Sequence, residues 1–344
     1  MNSPVRWGVI GCGDVTEVKS GPGFNLATNS KLVAVMRRNG ALAEDYARRH
    51  AVDRWFDNAD ALINDPDVDA VYIATPPGSH MKYALKVCAA GKPAYVEKPM
   101  ARNFAECEQM VSAFEKADLP LFVAYYRRAL DRFVNARRLI SDGALGRITS
   151  VNYRFTSSSA LQPMPEGVPW RVQAAEAGGG LFLDLGCHTL DIIDFLMGPL
   201  IRVNGSATNR SGAYAVEDGV VMRFETEDGA LGAAQWNFAG SRPEDILRIE
   251  GMQGSLSIST FGNEPAELFS GGSKTQFDLP NPLHIQTPMI QLIVDSLLGK
   301  GECPSTGFTA QRTNKVMDIA LENYYGGRED SFWTRPDTWP GSRR

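Results

Sequence analysis

The feature that most constrains this fold is a regular alternation of short apolar runs with amphipathic stretches across the first 124 residues. Residues 5–10 (V-R-W-G-V-I) form an apolar run that breaks at Gly11-Cys12-Gly13, after which Asp14 and Val15 open a candidate helix. Residues 31–36 (K-L-V-A-V-M), 70–74 (A-V-Y-I-A), 94–96 (A-Y-V) and 121–124 (L-F-V-A) read as further strands. Helical stretches lie between them at 41–50, from a Ser79 N-cap to residue 91, and at 103–117. Parallel strands need a crossover at every return, so this rhythm predicts a doubly wound parallel sheet. The first domain is expected to span residues 1–124.

Three places in that domain carry candidate chemistry. At Gly11-Cys12-Gly13 a first glycine allows the tight turn and a second lets backbone approach a pyrophosphate at the helix start, so Gly11, Gly13, Asp14 and Val15 are candidate dinucleotide contacts. The third small position is Thr16, a departure from Gly or Ala, and a lone G-x-G is also an ordinary turn. An Asp or Glu at the end of the second strand would suit the ribose hydroxyls of NAD, whereas here Arg37 and Arg38 follow Met36. Two guanidinium groups suit the additional phosphate of NADP, with NAD possible and a solvated basic loop as the alternative. Thr75, Pro76, Pro77 and His80 follow one strand, and Glu97, Lys98 and Pro99 follow the next. Ligands collect outside the carboxyl ends of such strands, so both segments are expected at the cofactor. Lys98-Pro99 can take the cis bond that only an X-Pro peptide adopts readily, or be a plain strand-ending turn.

After residue 124 the rhythm changes. A helix at 131–141 precedes strand-like runs at 147–155, 201–209, 219–225, 230–238, 246–250 and 255–260 with no helices between the last five. This predicts an α+β domain over residues 125–344 built on a large, mostly antiparallel open sheet, whose exposed face is a candidate surface for a homodimer or homotetramer. Inside it, residues 176–199 read E-A-G-G-G-L-F-L-D-L-G-C-H-T-L-D-I-I-D-F-L-M-G-P. A helix over 181–197 would be apolar on nearly every side except for Asp184, His188 and Asp191, whose spacings of four and three stack them on one face. Such a stripe is costly to bury against hydrocarbon and points to a polar cavity, with the three glycines permitting close approach. His188 is thus a candidate acid/base, a buried structural histidine being the alternative; three ligands on one helix complete no metal geometry, so no metal is expected. Asp194 lies off the stripe and reads as structural.

The bulk numbers narrow the class. At 344 residues, 43% hydrophobic and 22% charged, the chain is an ordinary globular protein of two domains. A net charge of -5 speaks against nucleic acid or anionic membrane as partner. Five scattered cysteines with no C-x-x-C pair, no signal-like opening and no long apolar run predict a cytoplasmic protein with reduced thiols.

The joint order of the G-x-G turn, the E-K-P after a later strand and the G-G-G-x-x-x-D-x-x-x-H segment resembles the Gfo/Idh/MocA oxidoreductase family over nearly the whole chain. The resemblance implies a Rossmann first domain that binds NAD or NADP, and oxidation or reduction of a hydroxyl or carbonyl on a sugar, inositol or related polyol. It implies that Lys98 is the active-site lysine, that Asp184 and His188 are the second-domain carboxylate and histidine, and that Tyr126 and Arg127 line the pocket. Trp170-Arg171 looks like the W-R of sugar-reductase branches, placed near cofactor and substrate. Hydride transfer requires a proton to move on the attached oxygen. His188, oriented by Asp184, suits that task, with Lys98 hydrogen-bonding the substrate oxygen. A dihydrodiol or other carbonyl substrate, a non-catalytic NADP-binding regulator, and an NAD-dependent glycosidase are the competing readings, the last disfavoured by Arg37 and Arg38. The loop at 157–169 is the expected determinant of substrate choice.

Overall fold

A computed structural model describes residues 4–162, 164 and 167–342, so three residues of the 157–169 loop lie outside it. The chain divides into two compact units. The first comprises residues 1–101, 106–130 and 282–311; the second comprises 102–105, 131–281 and 312–344. The boundary drawn at 124 from the sequence is therefore displaced to Leu130, and a late segment returns to the first unit. That return was hidden because residues 282–311 meet partners nearly two hundred residues earlier.

The first unit contains one six-stranded sheet, β1 (Val5–Ile10), β2 (Ser30–Met36), β3 (Arg54–Phe56), β4 (Ala70–Ile73), β5 (Ala94–Val96) and β6 (Leu121–Val123), in the order β3-β2-β1-β4-β5-β6. Every pairing is parallel, which is the doubly wound dinucleotide-binding arrangement. The crossovers carry α1 (Asp14–Val18), α2 (Gly23–Leu26), α3 (Gly40–Arg49), α4 (Ala59–Ile63), α5 (His80–Ala89) and α6 (Phe104–Lys116). Strands this short are buried almost throughout, as expected for a sheet covered on both faces. An aromatic column runs through the core, Trp7 to Phe24 (5.0 Å), Phe24 to Tyr72 (5.2 Å) and Tyr72 stacked on Tyr95 (4.8 Å).

The second unit opens with α7 (Asp131–Ser141), the range read from the sequence. Its eight strands are β7 (Ile148–Thr156), β8 (Leu200–Thr208), β9 (Gly219–Thr226), β10 (Leu231–Asn237), β11 (Glu244–Gly251), β12 (Gly254–Ile258), β13 (Ala266–Ser270) and β14 (Ser273–Phe277). They form one sheet in the order β14-β13-β12-β11-β7-β10-β9-β8, antiparallel except where β10 lies parallel to β7. Burial alternates along β7, β10 and β11, so one face is packed and the other is left open. Two short helices follow β7 in the chain, α8 (Ala174–Ala177) and α9 (Cys187–Met197). Later come α10 (Thr287–Leu297), in the segment that returns to the first unit, and α11 (Gly307–Tyr325), whose residues from Arg312 onward belong to the second unit.

Among the described residues no disulfide joins any two of the five cysteines, and no helix is long and apolar enough to cross a membrane.

Candidate active site

In the first unit the sequence-predicted residues gather at the carboxyl ends of β1, β2, β4 and β5. Gly11 turns the chain with φ of 92°, and a Cβ there would lie 2.9 Å from both the Ala74 carbonyl and Thr75 Cγ2, so only glycine fits. A Cβ at Gly13 would meet nothing nearer than 3.9 Å, which leaves bare backbone facing open space just before Asp14 and Val15 begin α1. Thr16, the departure from the small-residue pattern, is accommodated because its hydroxyl donates to the Gly13 carbonyl at 2.7 Å. Cys12 beside it is fully buried, and burial pushes its thiol up to about 11, so it stays protonated and inert. Arg37 and Arg38 are exposed directly after β2, and Arg37 Nη1 reaches the Cys12 carbonyl at 3.5 Å, which brings a guanidinium to the glycine turn. These groups fit a nicotinamide dinucleotide, with bare backbone for its pyrophosphate.

Below this rim the structure redirects two expectations. His80, expected at the cofactor, is fully buried, with Nε2 2.7 Å from the Thr75 carbonyl and Nδ1 3.0 Å from the Pro99 carbonyl. It ties the loop after β4 to the loop after β5 from behind. Burial lowers its pKa against the pull of those carbonyls and of Glu97. Glu97 is likewise turned inward: Oε1 accepts from the Tyr72 hydroxyl and from Gln286 Nε2 (2.7 Å), and Oε2 accepts the Lys98 backbone N–H at 3.1 Å. Gln286 in turn accepts from the Tyr95 hydroxyl at 2.8 Å. This network seats Lys98, which is half-buried, in a cis Lys98-Pro99 peptide. Ser79 precedes α5 as expected, yet its hydroxyl bonds Thr75 Oγ1 (2.7 Å) and caps nothing. Thr75 and Pro76 are half-buried and Pro77 is buried; Tyr126 and Arg127 are buried, the guanidinium lying 5.0 Å from the Tyr126 ring. His284 stands three residues before α10 with Nδ1 2.7 Å from the Val18 carbonyl, a structural tie.

In the second unit the predicted continuous helix is two elements. Phe182–Gly186 is a π-turn and α9 begins at Cys187, so Asp184 sits in the wide turn and His188 in the first turn of α9. The i→i+5 turn keeps positions four to five apart on one side, and such turns recur at functional sites. His188 is buried, its ring edge-on to Phe261 at 6.0 Å. Asp184 is half-buried and faces Arg171 Nε at 3.3 Å; the Arg171 guanidinium lies 4.4 Å from the half-buried Trp170 ring. The structure thus brings the Trp170-Arg171 pair together with Asp184, which had been assigned separately from sequence. Asp191 is buried on α9, and Asp194 is held by Arg312 through bonds of 2.6 and 2.8 Å, a structural pair.

Sequence reasoning passed over two carboxylates that shape this unit. Glu217 accepts the Gly180 N–H with both oxygens, at 3.0 Å each, and a Cβ at Gly180 would lie 2.2 Å from the Glu217 carbonyl. Asp245 accepts from the N–H groups of Thr260 (3.1 Å) and Phe261 (2.6 Å) and from the Tyr153 hydroxyl (2.9 Å), fixing the loop that lays Phe261 against His188. The only signal for either was an acidic residue in an apolar strand context.

The comparisons with known proteins agree with this geometry. Residues 5–125 match the model of an oxidoreductase family with an NAD-binding Rossmann fold, and residues 133–257 match the GFO/IDH/MocA C-terminal domain. This chain belongs to the Gfo/Idh/MocA oxidoreductase family. It is 35% identical over 322 residues to Oxidoreductase P35 of Formosa agariphila, covering 93% of this chain and 99% of that one. It is 28% identical over 290 residues to the trans-1,2-dihydrobenzene-1,2-diol dehydrogenase of Danio rerio, 81% of each chain. A solved levoglucosan dehydrogenase in complex with NADH shares the fold, with a TM-score of 0.82 at 22% identity over 93% of this chain and 96% of that one. As a Gfo/Idh/MocA protein the chain is an oxidoreductase built on a nicotinamide-dinucleotide-binding unit.

Proposed function

We propose that this oxidoreductase uses NADP(H) in preference to NAD(H) and acts on a ring hydroxyl or carbonyl of a sugar, inositol or related polyol. The observation that carries the cofactor reading is the exposed Arg37-Arg38 pair at the end of β2, one guanidinium reaching back to the Gly11–Gly13 turn where an acidic residue would otherwise meet a ribose hydroxyl. Gly11, Gly13, Asp14 and Val15 would receive the pyrophosphate, with Thr75, Pro76, Pro77, Arg127, Trp170 and Arg171 as further cofactor contacts. When bound, the nicotinamide supplies the hydride acceptor or donor.

The protein's own part is the proton and the oxygen. His188 exchanges the proton on the substrate oxygen, and Asp184 on the preceding turn orients it. Lys98, whose backbone is fixed by Glu97, hydrogen-bonds the substrate and offsets charge that develops on its oxygen. Tyr126 borders the substrate. Arg171, its Nε 3.3 Å from Asp184, aims that carboxylate. A trans-diol of a cyclohexadiene is the second reading, favoured by the Danio rerio relative, since it too presents adjacent ring hydroxyls.

The test is reduced-nicotinamide absorbance with NADP or NAD and a panel of sugars, polyols, ketoses and trans-dihydrodiols, run beside Lys98→Met. Turnover by the parent that drops by about 10²-fold or more in Lys98→Met, with cofactor affinity kept, supports the assignment. Normal turnover in the variant sinks it, and faster turnover of dihydrodiols than of any sugar replaces the substrate class.

A further inference from the structure

We propose that the C-terminal tail, residues 331–342, is a latch that positions the turn from which Asp184 and His188 are presented, acting through Tyr325, Arg328 and Arg102. The inference rests on the acid–base reading above and goes beyond it by assigning a positioning function to residues that touch no substrate. All the groups concerned lie in the second unit.

The tail folds onto the end of α11. Phe332 and Trp339 are buried; the Tyr325 ring is 4.8 Å from Phe332 and 4.7 Å from Trp339, and Trp339 Nε1 donates to the Phe332 carbonyl at 3.0 Å. Two polar arms leave this aromatic cluster toward the Gly178-Gly179-Gly180 turn. In the first, the fully buried Tyr325 hydroxyl donates to Glu217 Oε2, and Glu217 holds the Gly180 N–H with both oxygens. In the second, Arg328, stacked 4.4 Å over Phe332, donates to the Arg102 carbonyl at 2.8 Å. That carbonyl would lie 2.5 Å from a Cβ at Gly178, which has φ of 84°. Arg102 is itself covered by the tail, its guanidinium 3.7 Å over the Trp333 ring, and it donates to the Ala175 carbonyl at 3.0 Å.

The glycine turn is therefore held at Gly180 by Glu217 and closely approached at Gly178 by the Arg102 backbone, and Tyr325, Arg328 and Arg102, through which both are set, lie against the tail. What the turn holds is the π-turn itself: the Leu183 N–H donates to the Gly180 carbonyl at 3.1 Å, so the first bond of the segment carrying Asp184 starts at the residue Glu217 holds. Three glycines lack side chains to fix their own conformation, so an outside grip decides it. Catalytic groups lose rate steeply when displaced, which makes such a grip consequential. The sequence concealed the link because Glu217 and Tyr325 are 108 residues apart.

The experiment uses the full chain with Tyr325→Phe, which removes a single oxygen and keeps the ring, and with Glu217→Gln, which keeps an acceptor for Gly180. Amide hydrogen exchange is followed in peptides covering 178–190, alongside kcat and KM for NADPH and for the best substrate of the panel, with His188→Ala as reference. The expected result is roughly tenfold faster exchange in that segment and a roughly tenfold fall in kcat for Tyr325→Phe, with a smaller fall for Glu217→Gln. KM for NADPH should stay within about twofold, since the groups proposed for its pyrophosphate and ribose phosphate, Gly11, Gly13, Arg37 and Arg38, are in the first unit. Unchanged exchange overturns the latch, as does full kcat in Tyr325→Phe while His188→Ala loses turnover, or a fall in Tm with kcat held. Retained turnover in His188→Ala instead overturns the acid–base reading, and with it the catalytic consequence of the latch.

Discussion

Arg37 shows how far a single residue can be read. Its type and place after β2 gave the phosphate reading, and the fold adds that its guanidinium returns to the glycine turn. A charge-assisted contact to a phosphate contributes about 1.5–3 kcal/mol, so Arg37→Ala should raise the Kd for NADPH by about 10- to 100-fold and leave that for NADH within about twofold. Equal weakening of both, measured by fluorescence titration, would show that Arg37 recognises no phosphate. Glu217 gives a prediction in pH. Burial raises its pKa above the ordinary 4.5, so the folded state keeps the proton at pH values where the unfolded chain has released it. The stabilisation is fully present below about 4.5 and is lost as pH rises through the folded value. Glu217→Gln should therefore remove a downward slope of Tm with rising pH above 4.5; an unchanged slope would assign it to other groups. Lys98, Asp184 and His188 were proposed from residue type and motif order alone, and the roles of Lys98 and His188 rest on the variants named above. The inward turn of the His80 and Glu97 side chains was not legible, because sequence gives a residue's position beside a loop and withholds the direction of its side chain. Gln286 and Tyr72 were missed for a related reason, their partner Glu97 lying 189 and 25 residues away.

Elements were legible wherever hydrophobic period and glycine punctuation agreed. The first-unit strands and α7 follow from that agreement, whereas three-residue β3, and β13 and β14 with their polar, half-exposed sequences, carry too little period to register. The π-turn could not be read either, since period distinguishes apolar faces and Phe182–Gly186 is nearly apolar all round. At the same scale, Asp245 at the start of β11 organises the 260–262 loop by accepting two short backbone bonds and the buried Tyr153 hydroxyl, whose pKa burial and this carboxylate push well above its ordinary value. Asp245→Ala leaves those donors without an acceptor and should cost about 2–4 kcal/mol in urea denaturation, with a fall in kcat as Phe261 leaves His188. A loss below about 0.5 kcal/mol would mean that the loop is held by packing alone.

At the scale of the whole molecule, the open face of the eight-stranded sheet carries several exposed apolar side chains. Val221, Leu231, Ile246 and Phe269 are 54, 67, 40 and 53% exposed on it, beside Arg154, Arg248 and Gln235. Several exposed apolar side chains on one sheet face, with charged neighbours, are the composition of a surface that pairs with another. A twofold contact suits it because each copy would offer the same mixed patch to the other. We propose that copies of the chain pair through this face into a homodimer or a homotetramer. Placing a charge at its middle tests the idea without touching either set of proposed catalytic groups. Ile246→Lys puts two like charges near a twofold axis in a desolvated contact, a cost of several kcal/mol to association and little to a solvated face. Sedimentation velocity should give an oligomer for the parent and a monomer for Ile246→Lys, with the variant's circular dichroism unchanged. A parent that sediments as a monomer at micromolar concentration would leave these side chains as scattered surface apolars, and an oligomer that persists in the variant would move the contact to another face.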